Sequence, residues 1–133
     1  MLAKKYRLKG KDVIFLSKKR QYFYSDLFGF FYSNQYPNLN FNQISFHVSI
    51  KLSKKSSHRN IIKRAVMNYI RENNISKTLI NQKFRKFFIN LNKNKIPQFQ
   101  KSIEKFDKKA INQYTISAFK KSFSNFKNNI GVS

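Results

Sequence analysis

Residues 44–71 read ISFHVSIKLSKKSSHRNIIKRAVMNYIR, and the hydrophobic period changes partway along. The first seven residues alternate. Ile44, Phe46, Val48 and Ile50 fall on one side, and Ser45, His47 and Ser49 on the other. This predicts a half-buried strand over 44–50. Further on the period is helical. At about 100° per residue, Ile61, Ile62, Ala65, Val66, Tyr69 and Ile70 share one half of the wheel. Arg59, Asn60, Lys63, Arg64 and Arg71 fall within an arc of roughly 140° on the other half. Ser56 or Ser57 is the expected N-cap, and the helix is expected to end near Asn73 and Asn74.

Downstream, residues 75–82 (ISKTLINQ) read as a short helical piece or a loop. Residues 83–92 read as a strand with Phe87, Ile89 and Leu91 on one face and Phe84, Phe88 and Asn90 on the other. A strand–helix–strand unit predicts parallel pairing across a crossover. Upstream, the aromatic run 22–33 predicts one bent strand or two, with Phe28, Phe30 and Tyr32 opposite Gly29, Phe31 and Ser33. A turn around Tyr36-Pro37-Asn38 would return the chain antiparallel into the strand at 44, as a hairpin or meander. Asp12 is the expected N-cap of a short helix to about Lys19, with Val13, Leu16 and Phe15 as its inward candidates. Residues 1–11 form a basic arm, loose at its start. In the tail, Pro97 opens a helix to about Lys109 carrying Phe99, Ile103 and Phe106. A second helix carries Ile116, Phe119, Phe123 and Phe126. Both are expected to cover the core, and the closing NNIGVS to fray. The expected fold is α+β, one small domain over 1–133, with a four-stranded mixed sheet packed against helices. Its order is α-β-β-β-α-β-α plus an extra C-terminal helix: arm 1–11, core 12–92, helices 93–133.

With 133 residues, fifteen Phe and seven Tyr, the chain can bury one core. Its charge is lopsided: 28 Lys+Arg against 5 Asp+Glu give +23. Self-repulsion of that size favours a partner of opposite sign, and nucleic acid is the usual one. No apolar run reaches the ~18 residues that a membrane span needs, and MLAKKYRLKGKD lacks the apolar core of a secretion signal. No cysteine is present, which excludes disulfides and thiolate metal sites and suits a reducing compartment. The expected location is the cytoplasm, with no membrane partner. The acids Asp12, Asp26, Glu72, Glu104 and Asp107 are scattered over separate predicted elements, which argues against a carboxylate pair or a carboxylate metal cage. His47 lies on a polar strand face and reads as a surface residue. No glycine-rich phosphate loop occurs. Chemistry on a nucleic acid would have to come from elsewhere.

The front of the 57–73 helix is the sharper signal. Lys54, Lys55, His58 and Arg59 crowd the positive end of a helix dipole, a placement that costs a few tenths of a kcal/mol per charge. A bound phosphate would offset it, because helix amides and cations would then point at one anion. Lys51, Lys54, Lys55, His58, Arg59, Asn60, Lys63, Arg64 and Arg71 are therefore the candidate polyanion site.

These residues also carry a resemblance. The bacterial ribonuclease P protein component has a Val-Ser-Lys-Lys strand end, a short linker, and a helix opening Arg-Asn-Arg-x-Lys-Arg. The chain resembles it through Ser49, Lys51, Lys55, Arg59, Asn60, Lys63, Arg64 and Arg71, and RLKGKD at 7–12 resembles the family's opening. The resemblance covers roughly 4–91. The chain departs at Ile61, the third residue of the triplet, at Met67 and Asn68 where Arg-Glu is usual, and at Lys54 where the linker usually has glycine. The resemblance implies a left-handed crossover and a subunit without catalytic residues of its own. An RNA subunit and its Mg ions would do the hydrolysis, the Mg being bound mainly by that RNA. It implies that Arg59, Asn60, Lys63 and Arg64, flanked by Lys51 and Lys55, contact the catalytic RNA. Phe15 and Phe31 would line a cleft for the 5′ leader of precursor tRNA. A structural ribosomal RNA-binding protein is the alternative that the charge and size also fit. A protein-only nuclease is disfavoured by the scattered acids. The oligomeric state stays open.

Overall fold

The computed structural model describes residues 2–19 and 21–130. Helix α1 (Gly10–Lys18) leads into strands β1 (Tyr22–Ser25), β2 (Phe28–Asn34) and β3 (Gln43–Phe46). Helix α2 (Ser56–Glu72), strand β4 (Arg85–Leu91) and helices α3 (Ile96–Ile103) and α4 (Lys108–Asn129) complete the chain. This is the expected α+β order with the extra C-terminal helix. The aromatic run 22–33 is two strands, broken at Asp26, whose φ of 53° makes the turn.

The sheet order is β1-β2-β4-β3. β3 and β4 pair parallel, as the strand–helix–strand pattern requires. β3 runs antiparallel to β2, as expected, but the two strands do not pair as a hairpin or meander. β4 lies between them, pairing antiparallel with β2 from Phe28↔Leu91 to Asn34↔Arg85. The reason is burial. β4 presents Phe87, Ile89 and Leu91 to the core and is more apolar than β3, so it takes the central position while β3 sits at an edge. β3 ends at Phe46, not at residue 50. Val48 still packs inward, but Ile50 is 65% exposed on the loop to α2. β4 likewise starts at Arg85, two residues later than expected.

One face of the sheet makes the core. Phe28, Phe30 and Tyr32 of β2, Phe87 and Ile89 of β4, and Ile44 and Phe46 of β3 pack beneath Ile62, Val66 and Ile70 of α2 and Phe119, Phe123 and Phe126 of α4. Phe30 stacks on Phe126 at 4.3 Å with an interplanar angle of 8°, and Phe28 meets Phe119 edge-on at 5.4 Å. Each buried phenylalanine contributes roughly 1.5–3 kcal/mol. The tail helices cover the core as expected. However, the first stops at Ile103, because Asp107 caps a new helix by accepting from the Ala110 N–H at 2.8 Å. Phe106, in the gap, is exposed. Of the closing NNIGVS, Ile130 is buried, and residues 131–133 lie outside the described residues.

The arm is pinned rather than loose over its described part. Leu2 and Leu8 are buried, Arg7 bridges Ile44 in parallel, and the Leu8 N–H donates to the Ile44 carbonyl at 3.1 Å. Two buried polar residues close the loops at the far end of the sheet. The Asn42 amide donates to the carbonyls of Ile75 and Thr78 at 2.7 Å each and accepts from the Arg85 N–H at 2.6 Å. Arg85, 1% exposed, donates to the Ile80 carbonyl at 3.2 Å and to Asn34 Oδ1 at 3.0 Å. Burial pushes its guanidinium below the ordinary value, with Tyr32 opposing.

Candidate nucleic-acid interface

Helix α2 begins without the usual devices. Neither Ser56 nor Ser57 is the N-cap. Both lie inside the helix, Lys55 holds the cap position without a side-chain cap bond, and no acid stands in the first turn. The preceding loop is held through Ser53. Its hydroxyl accepts from the Lys55 N–H at 3.2 Å and lies 3.4 Å from His58 Nδ1, and its carbonyl accepts from the Arg59 guanidinium at 2.7 Å. The free chain therefore offsets part of the crowding at the helix front. Arg59 is half-buried and its guanidinium is partly committed to the loop, whereas Lys51, Lys54 and Lys55 are exposed.

One turn on, Asn60, Lys63 and Arg64 line a groove of ≈ 560 Å³ with Met67 and Asn68 of α2, Ser45 and Phe46 of β3, and Arg7 of the arm. The three polar residues converge on an open groove at the β3 edge, away from α4. Ile61 and Met67, two of the departures from the family pattern, are half-buried against the core. Arg71 is exposed at the far end of α2 and lies outside the groove lining, as do Lys51, Lys54, Lys55, His58 and Arg59. Arg7 is the groove residue to which sequence reasoning gave no role; the signal was its place in the RLKGKD opening.

A second concavity of ≈ 600 Å³ lies between α1 and the sheet face turned away from the core. Asp12 is in the first turn of α1, with Lys9 rather than Asp12 at the cap position. Its carboxylate is 3.6 Å from the Lys86 ammonium of β4, and the two side chains are only 12% and 6% exposed. The Lys86 ammonium also sits 4.3 Å from the centre of the Tyr36 ring and 5.9 Å from that of Phe15. Phe15 does not pack inward: it is 54% exposed and lines the cleft with Lys11, Lys19 and Ser33. Leu16 takes the inward position on α1. Phe31 is on the same sheet face but not in the cleft lining. It is half-buried, stacked on Phe88 at 6.2 Å and beside Tyr22 at 5.8 Å. Sequence reasoning missed Tyr36 and Lys86. Tyr36 was visible as an aromatic in an exposed turn. Lys86 was visible as a cation on the strand face shared by Phe88 and Asn90.

Among the described residues no three His, Asp or Glu side chains come together, and His47 stands exposed on the loop after β3. Also among them, no helix is long and apolar enough to cross a membrane.

No protein-family model and no curated protein matches the chain. Solved structures do. The RNase P protein of Staphylococcus aureus superposes with a TM-score of 0.60 over 92% of this chain and 98% of that one, at 18% identity. The RNase P protein of Thermotoga maritima, in complex with 1-(4-fluorophenyl)-2-thiourea, gives 0.62 over 94% and 100%, at 20% identity. The chain has the fold of the bacterial RNase P proteins, the family that its sequence resembles.

Proposed function

We propose that the chain is the protein subunit of a bacterial-type ribonuclease P, supporting 5′-end maturation of tRNA without catalytic residues of its own. The supporting observation is the pairing of two surfaces on this fold. One is the groove with Asn60, Lys63 and Arg64, and the other is the cleft with Phe15, Tyr36 and Lys86. A cationic groove beside an uncapped helix front suits an RNA backbone, since amides and side chains can share one phosphate. A cleft with exposed rings and buried or rimming lysines suits a single strand, which is held by base stacking inside a cationic channel.

In this reading Asn60, Lys63 and Arg64 contact the catalytic RNA in the groove. Lys51, Lys54, Lys55, His58 and Arg59 face it at the helix front, and Arg71 extends the contact at the far end. Phe15 holds the 5′ leader of precursor tRNA, with Phe31 further along the same face. Magnesium, which supplies the hydrolytic chemistry, is carried mainly by the RNA, and the assembly works in the cytoplasm.

Reconstitution tests this. The purified protein should restore precursor-tRNA processing by a bacterial-type catalytic RNA at low magnesium. Failure to restore it, with co-sedimentation on ribosomal subunits instead, would transfer the same groove to ribosomal RNA. Metal-dependent cleavage without added RNA would make the chain a nuclease in its own right.

A further inference from the structure

Five aromatic side chains are exposed among the described residues: Phe15, Tyr22, Tyr24, Tyr36 and Phe106. Phe15 and Tyr36 line the cleft. Tyr22 and Tyr24 do not, yet they share the outer sheet face, since their register partners on β2 are Phe31 and Gly29. The Tyr22 ring is 5.1 Å from Tyr24 and 5.8 Å from Phe31, which stacks on Phe88. Rings therefore run from the middle of the sheet to the β1 edge. The strip begins where the cleft ends, because Gln21, the residue before β1, belongs to the cleft lining.

Two details point to a ligand rather than to sheet packing alone. Cross-strand ring pairs do stabilise sheets, and Phe31 with Phe88 fits that role. Tyr22, 53% exposed at an open edge, leaves half its surface in water. The second detail is Asn90. Its Oδ1 is buried without a hydrogen-bond partner, beneath the Tyr24 ring that lies over Gly29. A Cβ on Gly29 would fall 2.2 Å from that ring and 2.6 Å from Asn90 Oδ1, so the glycine is what allows the three to meet. An unpaired acceptor beside a partly exposed ring suits the exocyclic amino group of a base that displaces or stacks on that ring. The charge agrees: Lys11 and Lys19 border the cleft, and its Asp12 carboxylate is already paired with Lys86.

We infer that Tyr22, Tyr24 and the Asn90 amide form a second stacking shelf, which carries the single-stranded RNA path beyond the cleft to the β1 edge; this rests on reading the cleft as a single-strand site. Fluorescence anisotropy with labelled oligoribonucleotides of about four and about twelve nucleotides tests it, the range of single-strand site sizes. The Tyr22→Ala/Tyr24→Ala variant should bind the long oligonucleotide about 5- to 150-fold more weakly per stacked base lost and the short one as before. Phe15→Ala should weaken both. Unchanged binding of the long oligonucleotide by the double variant overturns the shelf. Tyr22→Trp gives an independent readout, because the chain has no tryptophan. Its emission should be quenched by the long oligonucleotide and not by the short one, and equal quenching, or none, overturns the shelf even if the double variant misfolds. Precursor-tRNA processing, measured alongside, separates the two levels. Normal processing with no effect of the tyrosines removes the shelf alone, whereas no single-strand binding by the wild type removes the cleft as well.

Discussion

Replacing Lys86 with methionine separates its two roles. The ammonium lies 3.6 Å from Asp12, and both side chains are nearly dry. At an effective dielectric of about 20, the attraction over that distance is about 4–5 kcal/mol. Much of this replaces hydration that the two ions gave up on folding. Removing one partner forfeits the attraction but not the burial of the other. Because the Asp12 side chain keeps 12% of its surface and sits near the positive end of α1, the loss is shifted toward the lower end of the range for fully buried pairs, at about 2–4 kcal/mol. Lys86→Met with Asp12→Asn removes both charges and should recover to within about 1 kcal/mol of the wild type. Urea unfolding of the wild type, Lys86→Met, Asp12→Asn and the double variant, followed by far-ultraviolet circular dichroism, gives the four midpoints, with m unchanged. The double variant, though folded, lacks the cleft's buried cation and should bind leader-bearing precursor more weakly. A single variant as stable as the wild type, or a double variant as unstable as the sum of its singles, would refute the pairing argument.

Lys63→Ala and Arg64→Ala should each weaken RNA binding and lower the slope of log K against log salt by about 0.7–0.9 for each lost phosphate contact; an unchanged slope removes that residue from the interface. Phe31→Ala should hurt leader-bearing precursor more than mature tRNA in a binding competition, and equal loss on both would make Phe31 a purely packing residue. Asn42→Ala leaves two carbonyls and the Arg85 N–H without their buried partner and should cost about 2–4 kcal/mol in thermal or urea unfolding, with a wild-type midpoint as the contrary result. Lys55→Asp supplies the missing cap at α2 and should stabilise the fold by about 1 kcal/mol while weakening RNA binding; lower stability would show that this helix front is already satisfied.

The parallel pair was legible because a period of two, then a helical period, then a period of two fixes β3, α2 and β4 and the crossover between them. What strand lies beside what was not. The register of β4 between β2 and β3 depends on which strand buries more apolar surface, a comparison between segments more than forty residues apart that local spacing does not contain. The caps failed for a related reason. Ser56 and Asp12 have the right chemistry for caps, but the arm bridge at Arg7 and the Ser53 contacts set where each helix starts. In the candidate site, Asn60, Lys63 and Arg64 were legible from one helix face. Arg7 and Lys86 were visible as cations, but the concavities they line were not, because each reaches its concavity only through the sheet: Arg7 by pairing with β3, and Lys86 by the central position of β4.

The front of α2 breaks a local rule that α4 obeys, and unlike α1, which also lacks a side-chain cap, it has no acid in its first turn. α4 takes a side-chain cap from Asp107, whereas α2 takes none, although four cationic or potentially cationic side chains stand in and before its first turn. A helix of this length draws most of its stability from its packed face rather than from its ends. Ile62, Ala65, Val66 and Ile70 are all buried, so the front can stay electrostatically unfavourable at a cost of about 1–2 kcal/mol without unfolding the helix. A cost that a single substitution could remove is one that a ligand can recover. The groove one turn further on gives that ligand its chemistry, because Lys63 and Arg64 attract a polyanion there and the exposed amides and lysines at the helix front extend the same attraction along its backbone.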